Sequence, residues 1–164
     1  MSILPIVTWP DPRLTAPCAP VGEITDEIRV LVADMLETMY DAPGRGLAAP
    51  QVGVSRRIFV MDVNGRAGPR APRIFLDPVI EAWSEDTATG PEGCLSIPGI
   101  VVEIERPVEI ALRWRDIDDT EQRETLVGFP AICAQHEIDH LDGIVTFDRV
   151  SPEARAELER TYRA

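Results

Sequence analysis

The chain has 164 residues, 45% hydrophobic and 27% charged, which supports one globular core and excludes disordered or fibrous classes. All 16 cationic residues are arginine, so chemistry that needs a lysine amine is excluded: a Schiff base, a pyridoxal phosphate anchor, a P-loop. A net charge of −12 argues against nucleic acid and anionic membranes as partners, and without a basic leader or a run of ~20 apolar residues the expected location is cytoplasmic.

After a proline-rich start, Thr25 caps a helix over 26–40, in which Ile28, Leu31, Val32, Met35 and Met39 keep the 3.6-residue period up to Pro43-Gly44. Strand and turn signals follow as far as Gly128. They cover 56–63, a polar loop, 73–83, and 108–115, where Val108, Ile110, Leu112 and Trp114 fall at every second position, as on a half-buried antiparallel strand. Asp116–Thr120 reads as the turn into a hairpin partner over 122–127. The helical pattern returns between Pro130, which suits a first turn, and Gly143, which suits a stop. Ser151 then opens a short amphipathic helix with Leu158 and Tyr162 on one side. This order predicts an α+β fold, antiparallel strands packed around the helix that follows them, in a single domain over 1–164.

Both histidines of the chain lie in His136-Glu137-Ile138-Asp139-His140. Four residues make about one helical turn, so the two imidazoles leave one face and can converge on a metal, with Glu137 beside them to move protons. A catalytic metal needs a third ligand. Thr146 stands where the HExxHxxGxxH signature requires a histidine, so that reading fails. Glu157 or Glu159 is spaced as in thermolysin-like proteases, but a chain this short has no room for their second domain. Three cysteines, Cys18, Cys94 and Cys133, are an odd set that suits free thiols or a metal ligand better than disulfides. Cys133 lies seven residues before His140, ~10.5 Å along a helix, and reads as a small apolar wall residue. Cys94, beside Gly93, can reach the helix from a neighbouring strand as a thiolate suited to Zn²⁺ or Fe²⁺. Cys18 reads as structural.

Three motifs in order resemble those of the peptide deformylases: Gly44-Arg45-Gly46-Leu47-Ala48-Ala49-Pro50-Gln51, Glu92-Gly93-Cys94-Leu95-Ser96 and Gln135-His136-Glu137-Ile138-Asp139-His140. Asp11-Pro12-Arg13-Leu14, the segment 34–40 and Phe147-Asp148-Arg149 are also similar to family segments, so the resemblance covers nearly the whole chain. It implies the peptide deformylase fold and a metallohydrolase that removes formyl from the N-terminal methionine of nascent peptides. It further implies one divalent ion per chain, natively Fe²⁺ with Zn²⁺ or Ni²⁺ possible, on Cys94, His136 and His140. Glu137 would shuttle protons, and Gln51 with the backbone N–H of Leu95 would stabilise the oxyanion. These residue types can do that chemistry unaided. A glutamine could otherwise be a turn residue bonded to backbone.

The implied substrate contacts are Gly44, Arg45, Gly46, Gly90, Glu92, Phe129, Ile132 and Cys133, and several depart from the family pattern. Arg45 replaces an aliphatic residue of the side-chain pocket, Gly90 an apolar one, and Phe129 is bulkier than usual. Gly99-Ile100-Val101-Val102 replaces a charged and polar stretch. An unpaired guanidinium in an apolar pocket costs several kcal/mol, so Arg45 must turn to solvent or meet an acid. The three wall departures, Arg45, Gly90 and Phe129, together favour the inward orientation, with a polar or acidic first side chain in the substrate. Glu92 is expected to pair with Arg106. The stretch Ser151–Ala164 has three arginines against three glutamates and does not support ribosome docking. Two alternatives stand beside the deformylase reading: a paralogue that cleaves another N-formyl or N-acyl amine, and a non-catalytic metal-binding relative. Glu137 argues against the latter.

Overall fold

The computed structural model describes residues 1–65 and 67–164. Its helices are α1 (Asp26–Asp41), α2 (Phe129–Leu141) and α3 (Pro152–Arg163). Its strands are β1 (Gly46–Ala48), β2 (Ile58–Met61), β3 (Arg73–Trp83), β4 (Thr87–Cys94), β5 (Ile97–Pro107), β6 (Glu109–Arg115) and β7 (Glu121–Val127). The architecture is α+β. Five strands form one antiparallel sheet in the order β1-β2-β3-β6-β7, and β4 pairs with β5 in a separate hairpin. Among the described residues no helix is long and apolar enough to cross a membrane.

Local chemistry accounts for most element boundaries. The Thr25 hydroxyl accepts from the amide of Ile28 at 3.3 Å and starts α1, which ends one residue beyond the expected 40. In β6, Ile110, Leu112 and Trp114 point into the core, as their alternation predicts. The Asp116 carboxylate closes the following turn by accepting from the amides of Asp118 and Thr120, both at 3.0 Å. The strand expected over 56–63 is confined to Ile58–Met61, and the entire strand is buried.

Helix α2 is the centre of the molecule. Nine of its thirteen residues are buried, including Gln135, Glu137, Asp139 and His140. One apolar cluster joins its Ala131, Cys133, Ala134, Ile138 and Leu141 to the sheet, where Phe59 and Phe75 stack with ring centroids 4.4 Å apart. A second packs α1 on the other part of the sheet through Met35, Met39, Leu47 and Val60. A third fastens the β4–β5 hairpin to the N-terminal segment and α3 through Ile97, Val102, Ile104, Trp9 and Phe147. The buried polar residues of α2 therefore each require a partner or a function.

Candidate metal centre and active site

The α2 register sends His136 and His140 toward the β4–β5 hairpin, which supplies Cys94 from the end of β4. One donor atom from each of Cys94, His136 and His140 lies within 4.8 Å of the others, and Cys94 Sγ is 3.4 Å from His140 Nε2. This is the one group of metal-capable donors among the described residues. Cys133 is outside it: its Sγ points at the backbone carbonyl of Arg45, 3.8 Å away, as suits a buried wall residue. Glu159 on α3 is paired with Arg155, remote from the group.

The surroundings of the trio fit a divalent cation. His136 Nδ1 lies 3.0 Å from Glu92 Oε1, which leaves Nε2 as its free donor. Burial holds the His140 imidazole well below its ordinary pKa, hence neutral. Among buried side-chain polar atoms, only Glu137 Oε1 and His140 Nδ1 lack a hydrogen-bond partner in the described residues. A thiolate and two imidazoles suit Zn²⁺ and Fe²⁺ alike.

Behind the trio runs a chain of buried charges. Arg106 donates to both oxygens of Glu92, at 2.6 and 2.9 Å, so the expected pair is present, and it donates from its other side to Asp139 Oδ2 at 2.9 Å. Asp139 also accepts two bonds from Arg149. Burial alone would raise the Glu92 carboxyl, but the bonds from His136 and Arg106 outweigh it and hold the group ionised below the usual range. Asp139, Arg149 and Ser96 stand inside the family-like motifs of the sequence, which assigns them no role. Asp139 could have been noticed as an acid on a helix whose neighbours all face inward.

Glu137 lies across the site from this network, its carboxyl pushed up to about 7 by burial. Only glycine fits at position 46: a Cβ there would stand 2.5 Å from Glu137 Oε2 and 3.1 Å from Cys133 Sγ. Gln51 is held in a short turn (Ala49–Val52), where its Oε1 accepts from the amide of Ala48 at 2.9 Å. That bond fixes the amide so that Nε2 faces Ser96 Oγ at 3.1 Å and Cys94 Sγ at 3.7 Å. The backbone-bonded turn residue and the donor beside the metal ligands are therefore one and the same arrangement.

A cavity of about 750 Å³ opens beside these groups. It is lined by Gln51, Glu92, Cys94, Leu95, His136 and Glu137, and by Gly44, Arg45, Gly46, Gly90, Phe129, Ile132 and Cys133, so all the singled-out residues but His140 border it. His140 is buried behind Cys94. Gly90 leaves open space, with no atom within 4 Å of where a Cβ would be. Val101 and Phe129 at the mouth are 62% and 47% exposed, which makes the entrance apolar.

The inward orientation expected for Arg45 is not found. The residue is exposed, its Cζ lies 5.2 Å from the centre of the Phe129 ring, and among the described residues it forms no ion pair. The cavity holds no spare acid for it, because Glu92 is taken by Arg106 and His136 and Glu137 is enclosed under Gly46. Keeping the guanidinium hydrated over an aromatic face avoids the burial cost.

Comparison with known proteins agrees with this geometry. The polypeptide deformylase family model matches residues 3–156. The peptide deformylase of Afipia carboxidovorans is 45% identical over 162 residues, covering 99% of this chain and 95% of the relative, and that of Alkalilimnicola ehrlichii is 48% identical over 160 residues, covering 98% and 89%. The crystal structure of the Ehrlichia chaffeensis peptide deformylase in complex with actinonin superposes with a TM-score of 0.92 at 40% identity, over 99% of this chain and 98% of that one. With its fold, motifs and near full-length identity in agreement, the chain belongs to the peptide deformylase family.

Proposed function

We propose that this chain, as a single catalytic domain over 1–164, removes the formyl group from the N-terminal methionine of nascent peptides in the cytoplasm. The observation that carries the reading is Glu137: a buried carboxylate with one oxygen lacking a partner, one residue from His136 and facing the cavity. A site kept only for structure or for metal storage has no use for such a group. Family membership and the actinonin held by the Ehrlichia relative support a peptide-like occupant.

Cys94, His136 and His140 would hold the ion, which when bound supplies the Lewis acidity that polarises the formyl carbonyl and activates water. Glu137 takes a proton from the attacking water and returns it to the leaving amine, so that the C–N bond breaks to give formate and a free N-terminus. Its raised carboxyl is suited to both transfers near neutral pH. The Gln51 amide, anchored at Oε1, and the Leu95 backbone N–H are neutral donors for the oxyanion. The methionine side chain would lie against the apolar wall that includes Ile132 and Cys133.

Fe²⁺ is the proposed native ion, with Zn²⁺ or Ni²⁺ able to replace it. Anaerobically purified protein should carry one ion per chain, and Cys94→Ala should lose it. Undiminished stoichiometry in that variant would remove Cys94 from the ligand set. The iron form should be inactivated by air, as thiolate and ferrous ion both oxidise. Steady-state hydrolysis of formyl-Met-Ala-Ser, set against other formyl-amino acid peptides, tests the function. A consistent preference for a different first residue would instead favour the paralogue reading, for which the open space at Gly90 is the supporting feature.

A further inference from the structure

We infer that Arg45 makes this enzyme selective for a substrate carboxylate downstream of the formylated residue. This rests on the deformylase reading and adds to it a specificity that the site chemistry does not require.

Among the described residues Arg45 is the only arginine that lines the cavity, and its side chain is held at the mouth instead of hanging free. Its backbone is fixed by the carbonyl, which accepts from the Asp62 amide at 2.9 Å. Its stem runs along Gly65, where φ is +55° and an added Cβ would lie 3.4 Å from Arg45 Cγ and 3.5 Å from Nε. That loop is in turn clasped by the buried Asp62 carboxylate, which accepts from the Tyr40 hydroxyl at 2.6 Å and from the amides of Asn64 and Ala71 at 3.0 and 2.9 Å. The guanidinium rests on Phe129, its N–H edges without an acid partner among the described residues.

A guanidinium placed this way is pre-ordered for a forked contact with a carboxylate, because little side-chain freedom remains to be lost. Its position also says which part of the substrate it meets. The apolar wall of Ile132, Cys133, Leu95 and Ile97 suits the first side chain, while the chain that follows must leave on the exposed side, where Phe129 and Val101 lie. A carboxylate there belongs to an acidic second or third residue, or is the C-terminus of a short peptide. Exposure limits the gain to that of a surface ion pair, about threefold in kcat/KM.

The test compares isosteric peptides on the metal-loaded enzyme: amidated formyl-Met-Asp-Ser against formyl-Met-Asn-Ser, amidated formyl-Met-Ala-Asp against formyl-Met-Ala-Asn, and formyl-Met-Ala-Ser as free acid against amide. In at least one pair the acid should be favoured about threefold, mainly through KM, and the advantage should shrink in about 0.5 M NaCl. Arg45→Ile should bring that ratio to about one, and Arg45→Lys should retain part of it. Ratios of one or below in all three pairs, or a ratio unchanged by Arg45→Ile, overturn the inference while leaving the deformylase reading intact. Failure to hydrolyse any formyl-Met peptide overturns both.

Discussion

Arg106 and Arg45 border the same active-site region, yet they have opposite surroundings. Arg106 is buried with Glu92 on one side and Asp139 on the other, every contact made within the protein. Arg45 is exposed on an aromatic face and, among the described residues, forms no ion pair. The difference teaches where each acts. A buried guanidinium is affordable only when its partners are already in place, so Arg106 belongs to the framework that aims His136 through Glu92. An arginine left without a counter-ion at a cavity mouth has its charge free for what enters.

The sharpest way to break this contrast is Arg106→Leu, which leaves Glu92 and Asp139 without their shared cation. It should destabilise the metal-loaded protein by about 3–5 kcal/mol in a denaturant titration, against well under 1 kcal/mol if the network were dispensable. Glu137→Gln tests the other side of the site: it should retain the ion yet lose at least ~10²-fold in kcat. Near-normal turnover at full occupancy would exclude Glu137 from proton transfer.

Asp62 lies between framework and rim. Asp62→Asn should cost about 1–3 kcal/mol by leaving donors poorly satisfied. Burial would raise this carboxyl, but the bonds from Tyr40 and from the amides of Ala71, Asn64 and Gly65 prevail and hold it below its ordinary 3.8. Its contribution to stability is therefore complete above that value and is lost as pH falls through the lower folded value. Denaturation followed from pH 5 downward should show a steeper acid loss in the wild type than in Asp62→Asn; equal slopes would contradict the clasp. The smallest effect belongs to Arg45→Ile, whose change in stability should stay within about 0.5 kcal/mol, as befits an exposed side chain that gives up only the Phe129 face and the contact along Gly65.

Much of this arrangement was legible in the sequence where one local period or motif decides the outcome. Thr25 and the spacing of Met35 and Met39 specify α1, the alternation through Trp114 specifies β6, and the four-residue histidine spacing places both imidazoles on one face. The extent of the β4–β5 hairpin was less visible. Gly90, Pro91 and Gly93 interrupt any alternation in β4, and its pairing is supplied by the longer β5, whose Ile100, Val102 and Ile104 do alternate inward. Asp139 was visible in its motif but its role was not, because its partners, Arg106 and Arg149, lie 33 and 10 residues away and belong to other elements. The orientation of Arg45 depends on Gly65 and Phe129, 20 and 84 residues downstream, and no local pattern encodes that three-way contact.

The separate β4–β5 hairpin has a consequence for the order of assembly. Cys94 and His140 are 46 residues apart, so on a growing chain the hairpin is complete while the sequence of α2 is still to be made. Glu92 and Arg106 lie on its two strands, only 14 residues apart, and pair within it. Two charges destined for burial thus have each other within reach before the histidine and aspartate of α2 are made. What remains is closure of the long loop that docks α2, which brings His136 and Asp139 to Glu92 and Arg106. The metal site is thus a long-range contact in the chain, whereas the ion pair behind it is a local one.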